Sequence, residues 1–402
     1  MIAASMRQGS AADAVDGVVP RQVVEPADPN ELAATLQAAS RDKQITVLRG
    51  GGTKLGWGRT PAAIDLIVST AKLNTLLVHR HGDMTATAHA GVTLGQFNRE
   101  LARHGQWLPI DSAFDGATIG GIVATNDSGP VRHRYGTPRD LLIGVTMALT
   151  DGRIIKAGGH VVKNVAGYDL GKLASGSFGT FGAIVDATFK LLPIPQASAT
   201  VEASYVDGDV LAQDVMKVST SQLEPMAFDV MLEGGQYRLR LLFASSPEAV
   251  SAQVESAQRL LSRPSTVVTG EPEMDVWVDQ VRSPWAGTGA VIRFGWLPAK
   301  LADITTLMHD VQQMAGSIVM CGRVGAGAGL MRVDGDVRTQ AAVVERLRSS
   351  VWVGNVVVLR ASHDLKQHVD VWGPAASAAD AARALKGMFD PSGILNAGRG
   401  PI

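Results

Sequence analysis

Cysteine is almost absent: the 402 residues hold one, Cys321. A single thiol forms no disulfide within the chain and supplies no cysteine-ligated iron–sulfur cluster from within it, which fits a reducing compartment. Excess charge is absent too. Lys and Arg number 37 against 38 Asp and Glu, a formal net of −1, so there is no bulk electrostatic case for nucleic acid or an anionic membrane surface. No apolar run approaches the roughly 20 residues of a membrane-spanning helix. Residues 1–20, with Arg7, Asp13 and Asp16 among alanines and serines, lack the apolar core of a secretory signal and read as a mobile tail.

Two nucleotide-binding signatures are missing. A Rossmann turn needs G-x-G-x-x-G running into a helix, with an acidic residue about 20 positions on. The stretch from Gly50 to Gly58 is too rich in glycine and is followed by Pro61. A Walker loop ends in Gly-Lys-Ser/Thr, whereas Gly171-Lys172-Leu173 lacks the hydroxyl that holds magnesium. Neither NAD(P) in a Rossmann fold nor ATP is favoured.

Glycine is plentiful, 44 residues in all, and two segments stand out: Arg49-Gly50-Gly51-Gly52-Thr53-Lys54 and Thr118-Ile119-Gly120-Gly121. The first follows the β-rich run Ile45-Thr46-Val47-Leu48. Glycines there reach positive φ and let the main chain approach a diphosphate that a Cβ would exclude. The pattern points to a dinucleotide held by backbone amides, with a plain turn as the competing reading of either segment alone.

At about 150 residues per domain, the length allows two or three domains. Val23-Val24-Glu25 reads as a strand, and Asp28 caps a helix with Pro29 in its first turn and Leu32, Leu36 and Ala39 on its apolar stripe. Thr93 caps a helix over about 94–104. Pro193 and Pro195 mark a boundary. Beyond it, strands at 201–205, 227–232, 237–243, 291–294, 318–323 and 356–359 alternate with helices at 247–261, 301–314 and 340–348. This order predicts two α+β halves sharing one antiparallel sheet with helices on a single face. A last helix at 378–389 leads into Asp390-Pro391-Ser392-Gly393-Ile394-Leu395-Asn396. The expected organisation is a tail over 1–20, a first domain over 21–195 with subdomains near 21–75 and 76–195, a second domain over 196–385, and a terminal segment over 386–402.

The two glycine segments occur with Ala124-Thr125-Asn126, Tyr135-Gly136-Thr137-Pro138-Arg139-Asp140, Gly176-Ser177-Phe178-Gly179-Thr180-Phe181-Gly182 and the terminal Asp390 to Asn396 run. As a set they resemble the FAD-binding domain of the vanillyl-alcohol oxidase and p-cresol methylhydroxylase (PCMH) superfamily. Lys163-Asn164-Val165-Ala166-Gly167-Tyr168-Asp169-Leu170 and the short second domain resemble in particular the FAD-binding E subunits of bacterial glycolate oxidases.

The resemblance implies an α+β fold: a PCMH-type FAD-binding domain of two α+β subdomains, plus an α+β cap domain with an antiparallel sheet roofing the isoalloxazine. It implies that Arg49, Gly50, Gly51, Gly52, Thr53 and Lys54 meet the pyrophosphate. Asp111, Ser112, Thr118, Ile119, Gly120, Gly121, Thr125, Asn126, Ser128 and Gly129 would line the ribityl and phosphate portion. Asp169 joins this set; Gly176, Gly179, Thr180 and Ile184 would carry the adenine end, and Asn396 would return beside the flavin. Asn126, Asn164 and Asp169 equally suit Asx turns, and Asn396 a helix C-cap. FAD is expected to be non-covalent, because Thr53 stands where several relatives tether flavin through histidine and no cysteine lies near the second segment.

On the substrate side the chain departs from its catalytic relatives. Flavin-linked D-2-hydroxyacid dehydrogenases of this superfamily carry a metal-binding His-Gly-Asp-Gly-Asn-x-His segment where this chain reads Gly325-Ala326-Gly327-Ala328-Gly329-Leu330-Met331-Arg332, so no metal is expected. His79, His81, Asp83 and His89 read as sheet-surface residues, and His309, His363 and His368 form no ligand spacing. The resemblance therefore implies an FAD-binding subunit of a glycolate oxidase (glycolate dehydrogenase) complex that converts glycolate to glyoxylate. This chain would relay electrons or support a catalytic flavoprotein subunit, with an iron–sulfur subunit as further partner, in the cytoplasm or peripheral at the inner membrane through the complex. The alternative is a self-sufficient FAD-linked dehydrogenase of a small 2-hydroxy acid such as D-lactate, with Arg293, Arg323, Arg332 and Arg360 as carboxylate-clamp candidates. No catalytic residue is assigned; Tyr168 and His363 are the least implausible bases. Trp277, Trp285 and Trp296 suit either a core or an interface.

Overall fold

The computed structural model describes residues 5–159, 169–374 and 377–401. The chain divides into two units. Met1–Ser128, Gly136–Ile194 and Ala375–Ile402 form the first, and Gly129–Tyr135 with Pro195–Pro374 form the second. The helix Ala379–Phe389, which the expected boundary at residue 385 divides between the second domain and the terminal segment, lies wholly in the first unit, where Leu385 and Phe389 pack on the core and Phe389 meets Phe181.

The first unit carries two principal sheets. One orders Ser5–Gln8, Gln22–Glu25, Leu66–Ser69 and Thr46–Arg49; its first pairing is antiparallel and the other two are parallel. The helix Pro29–Arg41 buries Leu32, Leu36 and Ala39, and the Asp28 carboxylate accepts from the Asn30 and Glu31 amides at its start.

From Ser5 onward the expected tail is ordered instead. Ser5–Gln8 adds a strand to Gln22–Glu25, and Asp13, only 3% exposed, accepts from the guanidiniums of Arg7 and Arg49. A four-residue edge strand has too little alternation to announce itself. Asp13 reads as solvated until its partner 36 residues away is brought to it.

The other sheet is antiparallel, ordered Leu76–Arg80, Thr85–His89, Ala183–Lys190, Leu142–Ala148 and Ile154–Gly158. Phe97 and Leu101 from the helix Leu94–Ala102, and Ile119, Ile122 and Val123 from the helix Ile119–Thr125, share one core with Val145, Ala187 and Phe189.

In the second unit a single antiparallel sheet of eight strands runs Ser265–Val268, Ala197–Tyr205, Gln236–Ser245, Ala227–Glu233, Ile318–Arg323, Ala328–Val333, Ala290–Trp296 and Val353–Arg360. Apolar residues of the helices Gly208–Ser219, Pro247–Leu260, Leu301–Ala315 and Val337–Arg348 join the sheet's main core. The helices are not confined to that face. Glu271–Arg282 packs on alternate strand residues, which point the other way. Trp277 Nε1 donates to Thr200 Oγ1 at 2.9 Å, and Gln280 accepts from Arg240 at 2.7 Å. Because these contacts are polar, no apolar period in the sequence announces them. Among the described residues no helix is long and apolar enough to cross a membrane.

Candidate functional site

The strand Thr46–Arg49 delivers the chain into the first glycine segment, and there the two segments meet. A Cβ on Gly50 would fall 2.2 Å from Thr118 Oγ1, and one on Gly51 would fall 1.9 Å from the Gly116 carbonyl oxygen. Gly52 turns the chain with φ +74°. Gly120 rests on Ala90: its Cβ would meet the Ala90 Cβ at 2.7 Å, and its amide donates to Ala90 O at 2.8 Å. Thr118 caps the helix Ile119–Thr125, its Oγ1 accepting from the Gly121 amide at 3.3 Å. Two stretches of nearly bare backbone are thus held in contact, as a phosphate cradle requires.

Beside them lies a cavity of about 90 Å³ lined by Gly50, Gly51, Gly52, Thr53, Lys54, Thr118, Gly121, Thr125 and Asn396. A second of about 70 Å³ shares Gly50 and Gly121 and adds Arg49, Gly120, Gly179 and Ile184. These are thirteen of the residues singled out from sequence, brought to one place from four stretches of chain.

The others do not line these cavities. Ile119 is buried in the core. Asn126 ends its helix at φ 50°, and its Oδ1 accepts from the Arg139 amide. Asp169 caps Leu170–Ala174, accepting from the Lys172 amide at 3.1 Å. Ser112 Oγ donates to Asp127, Thr180 Oγ1 donates to Ser177 O, and Gly176 supplies a positive-φ turn. Asp111, Ser128 and Gly129 also stand outside the two linings. The Lys163–Tyr168 run, with Asn164, lies outside the described residues.

Lys54 is nearly enclosed, its side chain 6% exposed, with Nζ 3.0 Å from Asp127 Oδ2 and within 5.3 Å of the Phe114 ring centroid. The sequence reading missed Leu48, Ala124 and Phe178 on the walls, and above all Arg399. This residue is 7% exposed. Its guanidinium donates to Asn396 Oδ1 at 3.0 Å, to Trp57 O at 3.2 Å and to Leu55 O. Burial lowers its pKa below the ordinary arginine value, while the charge of Asp16 opposes that shift. Arg399 stands three residues past Asn396 in a terminus with no hydrophobic period, so only the fold reveals where it points.

The terminal segment is stitched in on both sides. The Thr46 amide donates to Ile394 O, and the Asn396 amide donates back to Thr46 O. Asn396 Nδ2 donates to Phe178 O at 2.5 Å. Lys386 Nζ reaches Asp390 Oδ2 at 2.5 Å, Thr180 O at 2.8 Å and Leu395 O at 2.9 Å. Bare backbone, a buried lysine and a buried arginine around one cavity fit the diphosphate of a dinucleotide such as FAD. A separate open groove of about 810 Å³, lined by residues such as Arg7, Arg21 and Asp65, contains none of them.

In the second unit, Gly322 and Gly329 pack against the Trp296 ring, where an added Cβ would lie 3.0 Å from it. Gly325 faces His133 and Phe228. Arg332 and Arg360 donate to backbone carbonyls between Ser283 and Gly289. Buried Arg323 lies 3.7 Å from Asp229. His363 contacts Gln367, and Tyr168 lies outside the described residues. In the first unit His79, His81 and His104 form a ring cluster, with His79 Nε2 2.9 Å from Gln106 Oε1. Among the described residues, no three His, Cys, Asp or Glu side chains are grouped to hold a metal.

Residues 20–158 match the sequence family described as FAD binding domain. The chain is 26% identical to glycolate oxidase subunit GlcD of Bacillus subtilis, across 95% of this chain and 89% of that one. It is 35% identical to a D-lactate dehydrogenase of Archaeoglobus fulgidus over 52% of this chain and 47% of the relative. It is 31% identical to glycolate oxidase subunit GlcE of Escherichia coli over 51% and 60%. The latter two matches thus span about half to three-fifths of the relatives' lengths. A solved alkyldihydroxyacetonephosphate synthase shares the fold with a TM-score of 0.73 at 16% identity, covering 94% of this chain and 76% of that one. With glycine cradle, buried cations and family match in agreement, the chain has the PCMH-type FAD-binding fold and is an FAD-dependent oxidoreductase.

Proposed function

We propose that the chain is an FAD-binding subunit of a complex that oxidises glycolate to glyoxylate, holding its FAD without a covalent bond and relaying electrons to, or bracing, a catalytic flavoprotein subunit beside an iron–sulfur subunit. The observation that carries this reading is the turn and strand from Val324 to Val333. Its glycines serve close packing against His133, Phe228, Phe294 and Trp296, and between Gly325 and Gly329 there is no side chain larger than a methyl group to grip a hydroxy acid. Likeness to two glycolate oxidase subunits supports the same reading.

The likeness to D-lactate dehydrogenases favours a second reading, a self-sufficient dehydrogenase of a small 2-hydroxy acid. Two of its four clamp candidates, Arg332 and Arg360, are already occupied with the loop between Ser283 and Gly289, which weakens it. Affinity purification of the tagged chain from its native cell separates the two. The subunit reading expects a second flavoprotein and an iron–sulfur protein in constant ratio, with glycolate-dependent dye reduction by the assembly. A lone chain that reduces dye with glycolate or D-lactate would establish the second reading.

A further inference from the structure

We infer that Arg399 is a charge-bearing ligand of the cofactor's diphosphate, and that the terminal segment closes the phosphate site as well as bracing it. The inference rests on the assignment of the glycine-lined cavity to that diphosphate. Among the described residues, Arg399 and Lys54 are the cationic side chains on the wall of the cavity lined by Gly50 to Thr53, and they approach it from opposite ends of the chain. Both are almost fully buried. Lys54 is matched by Asp127 at 3.0 Å. Hydrogen bonds from the Arg399 guanidinium reach the Asn396 amide oxygen and the Leu55 and Trp57 carbonyls, and the charge of Asp16 also acts on it. These neutral acceptors orient the fork, and a guanidinium held this way suits phosphate oxygens better than a mobile ammonium does.

The placement is enforced from three directions. The Arg59 amide donates to Arg399 O at 3.1 Å, Arg59 Nη1 donates to Gly400 O at 2.8 Å, and the Asn396 pairing with Thr46 fixes the turn before it. Leu55 and Trp57 lie just past the first glycine segment, so the guanidinium spans from the terminal segment to the loop that would cradle the phosphates. A positive charge in this wall favours a ligand carrying two negative charges and gives nothing to an uncharged one.

Titration of the flavin-free protein with FAD, followed by flavin fluorescence and by the FAD-induced rise in melting temperature, tests this with Arg399→Lys and Arg399→Gln. Lysine keeps the charge and loses the fork; glutamine keeps a donor and loses the charge. The expected result is a dissociation constant raised on the order of 10- to 100-fold by Arg399→Gln, the loss of one charge-assisted partner, with Arg399→Lys, which keeps the charge without the fork, falling between Arg399→Gln and wild type. Circular dichroism of each flavin-free variant reports folding separately. If Arg399→Gln binds FAD as wild type does, the charge plays no part and the inference falls. Failure of the wild-type chain to take up FAD would instead overturn the cofactor assignment itself.

Discussion

The backbone of Gly51 lies so close to that of Gly116 that a methyl group added to Gly51 would fall 1.9 Å from the Gly116 carbonyl oxygen. Overpacking of this kind costs about 1–3 kcal/mol. Gly51→Ala is therefore expected to part the two glycine segments and weaken FAD binding by roughly 5- to 150-fold, a range set by 1.4 kcal/mol per factor of ten. Gly51→Asp, which adds negative charge at the phosphate position, is expected to abolish flavin retention. The ratio of flavin to protein absorbance after purification reads both. Variants that stay fully yellow would contradict the loop assignment.

Lys386 and Asp390 hold the terminal turn, with the Leu395 amide also donating to Asp390 at 2.8 Å. The Asp390 side chain has no exposure, so Lys386→Met leaves a buried carboxylate without its cation. A loss of about 3–5 kcal/mol is expected, read from the urea midpoint. A loss below about 1 kcal/mol, the scale of a surface pair, would show that the turn stands without it.

Arg7 and Arg49 hold the Asp13 carboxyl well below the usual carboxylate range. A pKa depressed in the folded state gives stability that is present above the unfolded value, about 3.9, and is lost as pH falls through it toward the folded value. Asp13→Asn should thus melt lower than wild type near neutral pH, and the gap should narrow as pH drops below about 4. A gap unchanged between about pH 7 and pH 2 would rule out the linkage.

Cys321 is fully buried, and burial pushes its thiol up to about 12. It should resist alkylation in the native protein and react once per chain in denaturant. Stoichiometric native labelling, read by intact mass, would place it at the surface instead.

Much of the first unit was legible because its signals are local. Asp28, Thr93 and the stripe of Leu32, Leu36 and Ala39 are written in adjacent turns, and Gly50 to Gly52 and Gly120 stand in short glycine clusters that the sequence displays directly. What escaped depends on distant pairings. Asp13 gains meaning only from Arg49, Arg399 only from Leu55 and Trp57, and the helix Glu271–Arg282 only from polar partners such as Thr200 and Arg240. Residues such as Asn126 and Asp169 sit in the family motifs, yet their side chains cap helices and turns.

On the proposed function, this chain binds FAD but does not by itself oxidise a hydroxy acid. Anaerobic mixing of the purified yellow chain with glycolate, and separately with D-lactate, tests it directly through the visible absorbance of the flavin. The expected result is no bleaching from either acid alone, and bleaching by glycolate once the catalytic and iron–sulfur partners are added. Rapid bleaching of the chain on its own would contradict it and place a complete substrate site in this polypeptide.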